Sequence, residues 1–140
     1  MPTARVVHAD RNTVEFHVHG DGPVVVMIPS LGRRAGDFTD LAEKLAAAGY
    51  PAACIGPRGV GNSVGPMENL TLHDLAADAA AVIEELAGGS PVVVFGHAFG
   101  QRVCRMLAAD RPDLVSAVIM LAAGGKVPPS EAIRLFCGRQ

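Results

Sequence analysis

Pro91-Val92-Val93-Val94-Phe95 is followed by Gly96-His97-Ala98-Phe99-Gly100 and then by Gln101-Arg102-Val103-Cys104-Arg105-Met106-Leu107-Ala108-Ala109-Asp110. The first run is continuously apolar and reads as a buried strand over 91–95. The last run has helical periodicity and reads as a helix over 99–109. Between them the chain has only a few residues in which to turn from strand to helix. Glycine at 96 and 100 fits that demand, because a side chain at so tight a crossing meets neighbouring backbone. Residue 98, at the apex, is alanine. Its methyl group carries no lone pair, so this side chain cannot act as a nucleophile.

The same alternation continues on both sides. Arg5 to Ala9 and Thr13 to His19 read as two strands joined by the turn residues Asp10-Arg11-Asn12. Val14, Phe16 and Val18 alternate with polar neighbours, the period of a half-buried strand. Val24 to Ile28 is apolar throughout, as in a parallel strand covered on both faces. Asp37 to Ala48 reads as a helix with Phe38, Leu41, Ala42, Leu45 and Ala46 on one stripe, stopped by Gly49. Pro51 to Ile55 is a short strand, and Gly56 to Pro66 is a glycine-rich loop. Leu72 to Ala87 is a second helix; Thr71 and Asp74 fit a capping pattern, and Leu75, Ala79, Val82, Ile83 and Leu86 form its apolar face. Ser116 to Ala122 is a further apolar strand. Gly124 to Pro129 reads as a loop and Ser130 to Phe136 as the start of a helix. Strands alternating with helices of this length specify an α/β fold, a mostly parallel sheet of about six strands with helices on both faces. The first two strands are expected to pair as an antiparallel hairpin.

Composition narrows the function. The 140 residues have the length of one domain, and the net charge of -2 carries no footprint for nucleic acid or a membrane surface. No apolar run approaches the roughly 18 residues of a membrane span. Cys54, Cys104 and Cys137 are odd in number and unrelated in spacing. They read as reduced thiols in a cytoplasmic protein, not as a disulfide frame or a metal site. No metal and no cofactor is implied, and the expected partner is a small-molecule substrate or ligand.

Three local patterns, in this order along the chain, resemble the N-terminal half of the α/β-hydrolase fold family. Met27-Ile28-Pro29-Ser30-Leu31-Gly32 is similar to the family's oxyanion loop after the third strand, with Pro29 in place of His and Ser30 in place of the first Gly. Gly56-Pro57-Arg58-Gly59-Val60-Gly61-Asn62-Ser63 is similar to the D-x-R-G-x-G-x-S loop after the fourth strand, with Gly56 in place of Asp. Val92 to Gly100 is similar to the strand and nucleophile elbow, G-x-S-x-G, with Ala98 in place of Ser. The resemblance implies elbow residues Gly96, His97 and Gly100, and a substituted nucleophile position at Ala98. It also implies an oxyanion hole built from the backbone N–H groups of Leu31 and Phe99.

The resemblance also shows what this chain lacks. In the family the triad acid and histidine follow the nucleophile. After Ala122 the sole carboxylate is Glu131, and no histidine follows His97. We therefore expect a partial core domain spanning 1–140, truncated after the sixth strand, with C-terminal half and cap absent. The family activity is hydrolysis of a small ester- or amide-type substrate, and this chain is expected to be catalytically impaired. The alternatives are a non-catalytic ligand-binding member of the fold and a fragment without function. The sixth strand is expected to be an unpaired, apolar sheet edge, so that the isolated chain dimerises or is stable only with its missing half.

Other motifs receive plainer readings. Gly56 to Ser63 nearly matches a phosphate-binding loop, but Asn62 replaces its lysine and no helix begins at once, so the nucleotide reading is set aside. Arg58 is expected to tie loop carbonyls together. Ser30 lacks a base within reach and is not taken as the nucleophile. His97 is assigned a packing or hydrogen-bonding role, His73 a solvated or capping one. His17 and His19 share a strand face and are taken as a solvent-facing pair. Glu84 with Glu85, and Arg102 with Arg105, are taken as solvated helix surfaces.

Overall fold

The computed structural model describes residues 3–9, 11–21, 25–30 and 32–122. The readings made on Leu31, on the segments 124–129 and 130–136, on Glu131 and on Cys137 lie outside the described residues. The strands are β1 (Thr3–Ala9), β2 (Asn12–His19), β3 (Val25–Ile28), β4 (Ala52–Ile55), β5 (Val92–His97) and β6 (Val115–Leu121); the helices are α1 (Thr39–Ala47), α2 (Leu72–Ala87) and α3 (Gly100–Asp110). They form one six-stranded sheet in the order β1-β2-β4-β3-β5-β6. β1 and β2 form the expected antiparallel hairpin and β2 also runs antiparallel to β4. All remaining pairs are parallel.

Each face of the sheet is covered by different helices, as the two hydrophobic clusters show. On one face Ala42 of α1 packs with Met27, Ala52 and Cys54, backed by Phe38, Leu45 and Phe95. On the other, α2 and α3 pack on Val26, Ile28, Ala53, Ile55 and Val94 through residues such as Val82, Ile83, Val103 and Leu107. β4 is buried along its whole length, as a central parallel strand must be. α2 begins on the capping box that Thr71 and Asp74 spell out, with each side chain bonded to the other's backbone N–H, and stops at Gly88 in the left-handed conformation.

Several sequence expectations are corrected. The segment read as one helix from Asp37 begins with a 3-10 turn, Ala35–Phe38, before α1 proper. Leu41 is not part of the buried stripe; it is 38% exposed, because the contact face runs through Phe38, Ala42 and Leu45. β5 runs two residues further than expected and α3 ends at Asp110. His17 and His19 do not face solvent. His19 is buried by the α1 side of the fold, and burial lowers its pKa. His17 is half-buried, with Nε2 2.8 Å from Glu15 Oε1. His73 is exposed but clips α2 to α3 through Asp110 at 2.6 Å. Glu84 and Glu85 are exposed as expected, yet each holds an arginine, Arg111 at 2.8 Å and Arg5 at 3.2 Å.

Asp78 is the residue that periodicity left unexplained. It sits inside the apolar face of α2, one turn from both Leu75 and Val82, and is 5% exposed. Its carboxylate accepts Arg58 Nε at 3.0 Å, Arg58 Nη2 at 2.9 Å and Asn12 Nδ2 at 2.9 Å. Arg58 also donates to the Pro66 carbonyl at 2.8 Å, the carbonyl-tying role expected of it. The pair fastens the glycine-rich loop to α2. Removing one partner of such a buried pair strands the other charge. Asp78→Ala is expected to lower the unfolding free energy by ~3–5 kcal/mol in chemical denaturation.

Candidate active site

The sheet order places the site. β3 and β5 are adjacent and parallel, with Ile28 level with Gly96. At their carboxyl ends the chain leaves in opposite directions, from β3 towards α1 on one face and from β5 into α3 on the other. A crevice at such a reversal is where open α/β sheets bind ligands. Residue 98 stands at this point, between the last residue of β5 and the first of α3.

The turn is as sharp as the glycine pattern demanded. Ala98 has φ of 51°, the left-handed region that a side chain occupies at a cost. Its N–H donates to the Leu121 carbonyl at 2.9 Å, and its own carbonyl accepts the Gln101 N–H at 3.1 Å. The backbone at 98 is thus tied both to the end of β6 and to the first turn of α3. A Cβ on Gly96 would sit 2.5 Å from the Gln101 nitrogen and Cα. A Cβ on Gly100 would run into the Ile28 and Pro29 carbonyl oxygens. All of these are backbone atoms, which cannot step aside as a flexible side chain would.

The neighbours take distinct roles. Phe99 already has helical dihedrals and its carbonyl accepts the Arg102 N–H at 2.9 Å. Its own N–H belongs to the first turn of α3, where no intrahelical acceptor exists and the helix dipole favours negative charge. His97 is half-buried and stacks edge-on against Phe38 at 6.3 Å, the packing role expected of it. Phe38 also meets Phe95 edge-on at 5.8 Å. Ser30, half-buried, precedes Leu31 and turns the loop by accepting the Arg33 N–H at 3.2 Å. Gln101, one residue into α3, was not picked out by sequence reasoning. It is 1% exposed, and its Oε1 makes no hydrogen bond among the described residues. A polar residue directly behind the glycine-flanked turn was the available signal.

Beside the turn lies a cavity of about 30 Å³ between the ends of β3 and β4 and the helices α2 and α3, with Phe99 in its wall. Glu15 organises the far side of the glycine-rich loop. Its carboxylate accepts from His17 and from the Asn62 N–H at 2.8 Å, and these bonds hold its pKa below the usual carboxylate value. Ser63 is buried, donating to the Gly56 carbonyl at 2.7 Å and accepting the Glu15 N–H at 2.9 Å. Cys54 and Cys104 are buried, and burial pushes both thiols up to about 12, so neither offers a thiolate. Among the described residues no three His, Cys, Asp or Glu side chains come together in a way that could hold a metal ion.

The sequence matches the family profile described as alpha/beta hydrolase fold over residues 23–136. The chain belongs to the α/β-hydrolase fold family. This hydrolase-fold chain is 30% identical over 118 residues to the 2-(acetamidomethylene)succinate hydrolase of Mesorhizobium japonicum, across 84% of this chain and 42% of that protein. Among solved structures it is similar to an epoxide hydrolase from an endophytic Streptomyces, with a TM-score of 0.78 and 29% identity over 85% of this chain and 36% of that one. It is also similar to epoxide hydrolase A from Mycobacterium thermoresistibile, with a TM-score of 0.81 and 26% identity over 99% of this chain and 46% of that one. The hydrolase-fold chain therefore spans less than half the length of each of these proteins.

The turn geometry has opposite consequences at neighbouring positions. Ala98→Gly relieves the left-handed backbone and is expected to raise stability by ~0.5–1 kcal/mol, although glycine normally costs that much in regular structure. Gly100→Ala forces a methyl group into backbone carbonyls and is expected to cost at least ~2–3 kcal/mol. Parallel denaturant titrations of the two variants check both signs.

Proposed function

We propose that residues 96–100 are a nucleophile elbow that has lost its nucleophile, in a site shaped for a small ester- or amide-type acyl compound. The observation that carries this reading is Ala98 at φ of 51° at the sheet's reversal point, with a methyl group where the family places a reactive oxygen. Gly96, His97 and Gly100 hold the turn. The N–H of Phe99, and by its place in the sequence that of Leu31, donate to the ligand's carbonyl oxygen. Backbone donors survive the exchange of Ser for Ala, so the site keeps its hold on a polarised carbonyl while losing covalent attack. The reading is that of a catalytically impaired hydrolase-type site which retains a small ligand. The second reading, a dedicated non-catalytic binder, is favoured by the cavity that opens beside the turn. No helix among the described residues is long and apolar enough to cross a membrane. The buried free thiols support the cytoplasm as the compartment.

Restoring the oxygen tests this. Ala98→Ser, mixed with 4-nitrophenyl acetate, is expected to release nitrophenolate and to carry one acetyl group at position 98 by peptide mass, slowly and without a burst, because no histidine follows position 98 to act as its base. The unsubstituted chain is expected to show neither. A serine variant that stays unacylated yet still binds small acyl ligands favours the dedicated binder instead.

We further propose that two copies associate through β6. Among the described residues it is an edge strand, and Ile119, Met120 and Leu121 are 48%, 51% and 50% exposed in succession, so apolar side chains emerge on both of its faces. Such an edge is a template for pairing with another chain. Sedimentation velocity is expected to show the mass doubling as concentration rises; a monomer persisting at high concentration contradicts it.

A further inference from the structure

The cavity beside the turn has a composition that selects its occupant. Ile28, Ile55, Pro57, Leu75, Phe99 and Val103 supply most of its wall, and Arg58 with Asp78 closes one side. The charged pair does not make the cavity polar in effect. Arg58 Nε, Nη1 and Nη2 are each committed, two to Asp78 and one to the Pro66 carbonyl. The Asp78 oxygens accept three hydrogen bonds between them. A buried water needs two to four polar partners, and most of the capacity of the charged pair in this wall is taken up by Arg58, Asp78, Asn12 and the Pro66 carbonyl. The space therefore favours an apolar group.

Its size narrows the choice further. The volume of about 30 Å³ is roughly twice the ~10–15 Å³ that one water-sized group requires. It takes one or two such groups, the dimensions of a methyl or an ethyl. Its position ties it to the turn. Phe99 lines the cavity with its side chain and opens α3 with its N–H. One residue thus separates the apolar space from the proposed carbonyl-binding donor.

We infer that this cavity is a subsite for the short alkyl end of the ligand, and that it sets an upper limit of about two carbons beyond the carbonyl. The inference rests on the proposed reading for the ligand's polar end, and specifies the ligand as a short-chain acyl compound. The Arg58–Asp78 pair forms the floor that ends the chain. A longer tail has to dislodge a bidentate ion pair that is 6% exposed on each side chain.

Acetate, propionate and butyrate are the probes, titrated into the chain and followed by NMR at the Phe99 amide and at the methyls of Ile28, Ile55, Leu75 and Val103. Affinity is expected to rise about four-fold from acetate to propionate, the contribution of one buried methylene, and then to level off at butyrate. Ala79→Val, which fills the cavity from α2, is expected to abolish the gain with tail length while the Phe99 amide still responds. Val103→Ile fills it from α3 and serves if the first variant does not fold. Affinity independent of tail length in the unsubstituted chain, with a responding Phe99 amide, overturns the subsite and leaves the polar site standing. Methyl shifts without a Phe99 response uphold the subsite and remove the polar end from α3. No response at any of these groups overturns both.

Discussion

Helix α3 starts in contact with the end of β3, and no side chain fits in the space between them. Gly100 lies against the Ile28 and Pro29 carbonyls, and Gly96 against the backbone of Gln101. These two contacts let β5 turn into α3 within two residues, Ala98 and Phe99. They hold the first turn of the helix over the reversal point of the sheet and force Ala98 into a left-handed conformation. Close packing, not hydrogen bonding, is the governing constraint. A methyl group at either glycine meets backbone, and a backbone collision is relieved only by moving a strand or a helix.

The glycine-rich loop is secured differently. Its apolar side chains are buried only in part, Pro57 and Val60 being half-buried and Val64 exposed, and polar groups fix it on two sides. Arg58 reaches Asp78 on α2, and Glu15 on β2 takes the Asn62 N–H while Ser63 bridges β2 and the end of β4. Each of these groups is paired, the condition under which desolvated polar groups are tolerated. The loop in turn supplies Pro57 and Arg58 to the cavity wall beside Phe99. Two independent devices, a steric one at the turn and an electrostatic one at the loop, thus meet in the wall of one cavity.

In the proposed reading, alanine at the apex separates binding from chemistry. The features of the turn that would orient a carbonyl in the proposed reading are backbone features, set by the helix start and by the glycine contacts. The feature that attacks a carbonyl is a single side-chain oxygen. Exchanging serine for alanine removes the second without disturbing the first, because alanine adds no bulk. The apolar edge at β6 shows a different dependence. Three large apolar residues in succession are normal in a strand covered on both faces, and they are exposed here because nothing among the described residues lies against them.

Sequence reading sufficed for the alternation of strands and helices, the antiparallel opening hairpin, the capping box at Thr71 and Asp74, and the glycine-flanked turn around Ala98. Each is local: periodicity, capping and tight turns depend on residues within a few positions of one another. Everything else depends on contacts between distant parts of the chain. Asp78 falls on the apolar stripe of α2 with nothing near it in the sequence to pair it, and its partner Arg58 lies twenty residues away. His17 and His19 alternate like solvent-facing residues, yet α1 lies over that face and buries His19, an assignment no strand carries in its own pattern. Leu41 has the spacing of a core residue and is left outside, because the 3-10 turn at Ala35–Phe38 sets how α1 meets the sheet. The strand order, which brings the end of β3 beside the turn at residue 98, follows from long-range pairing between segments far apart in the chain.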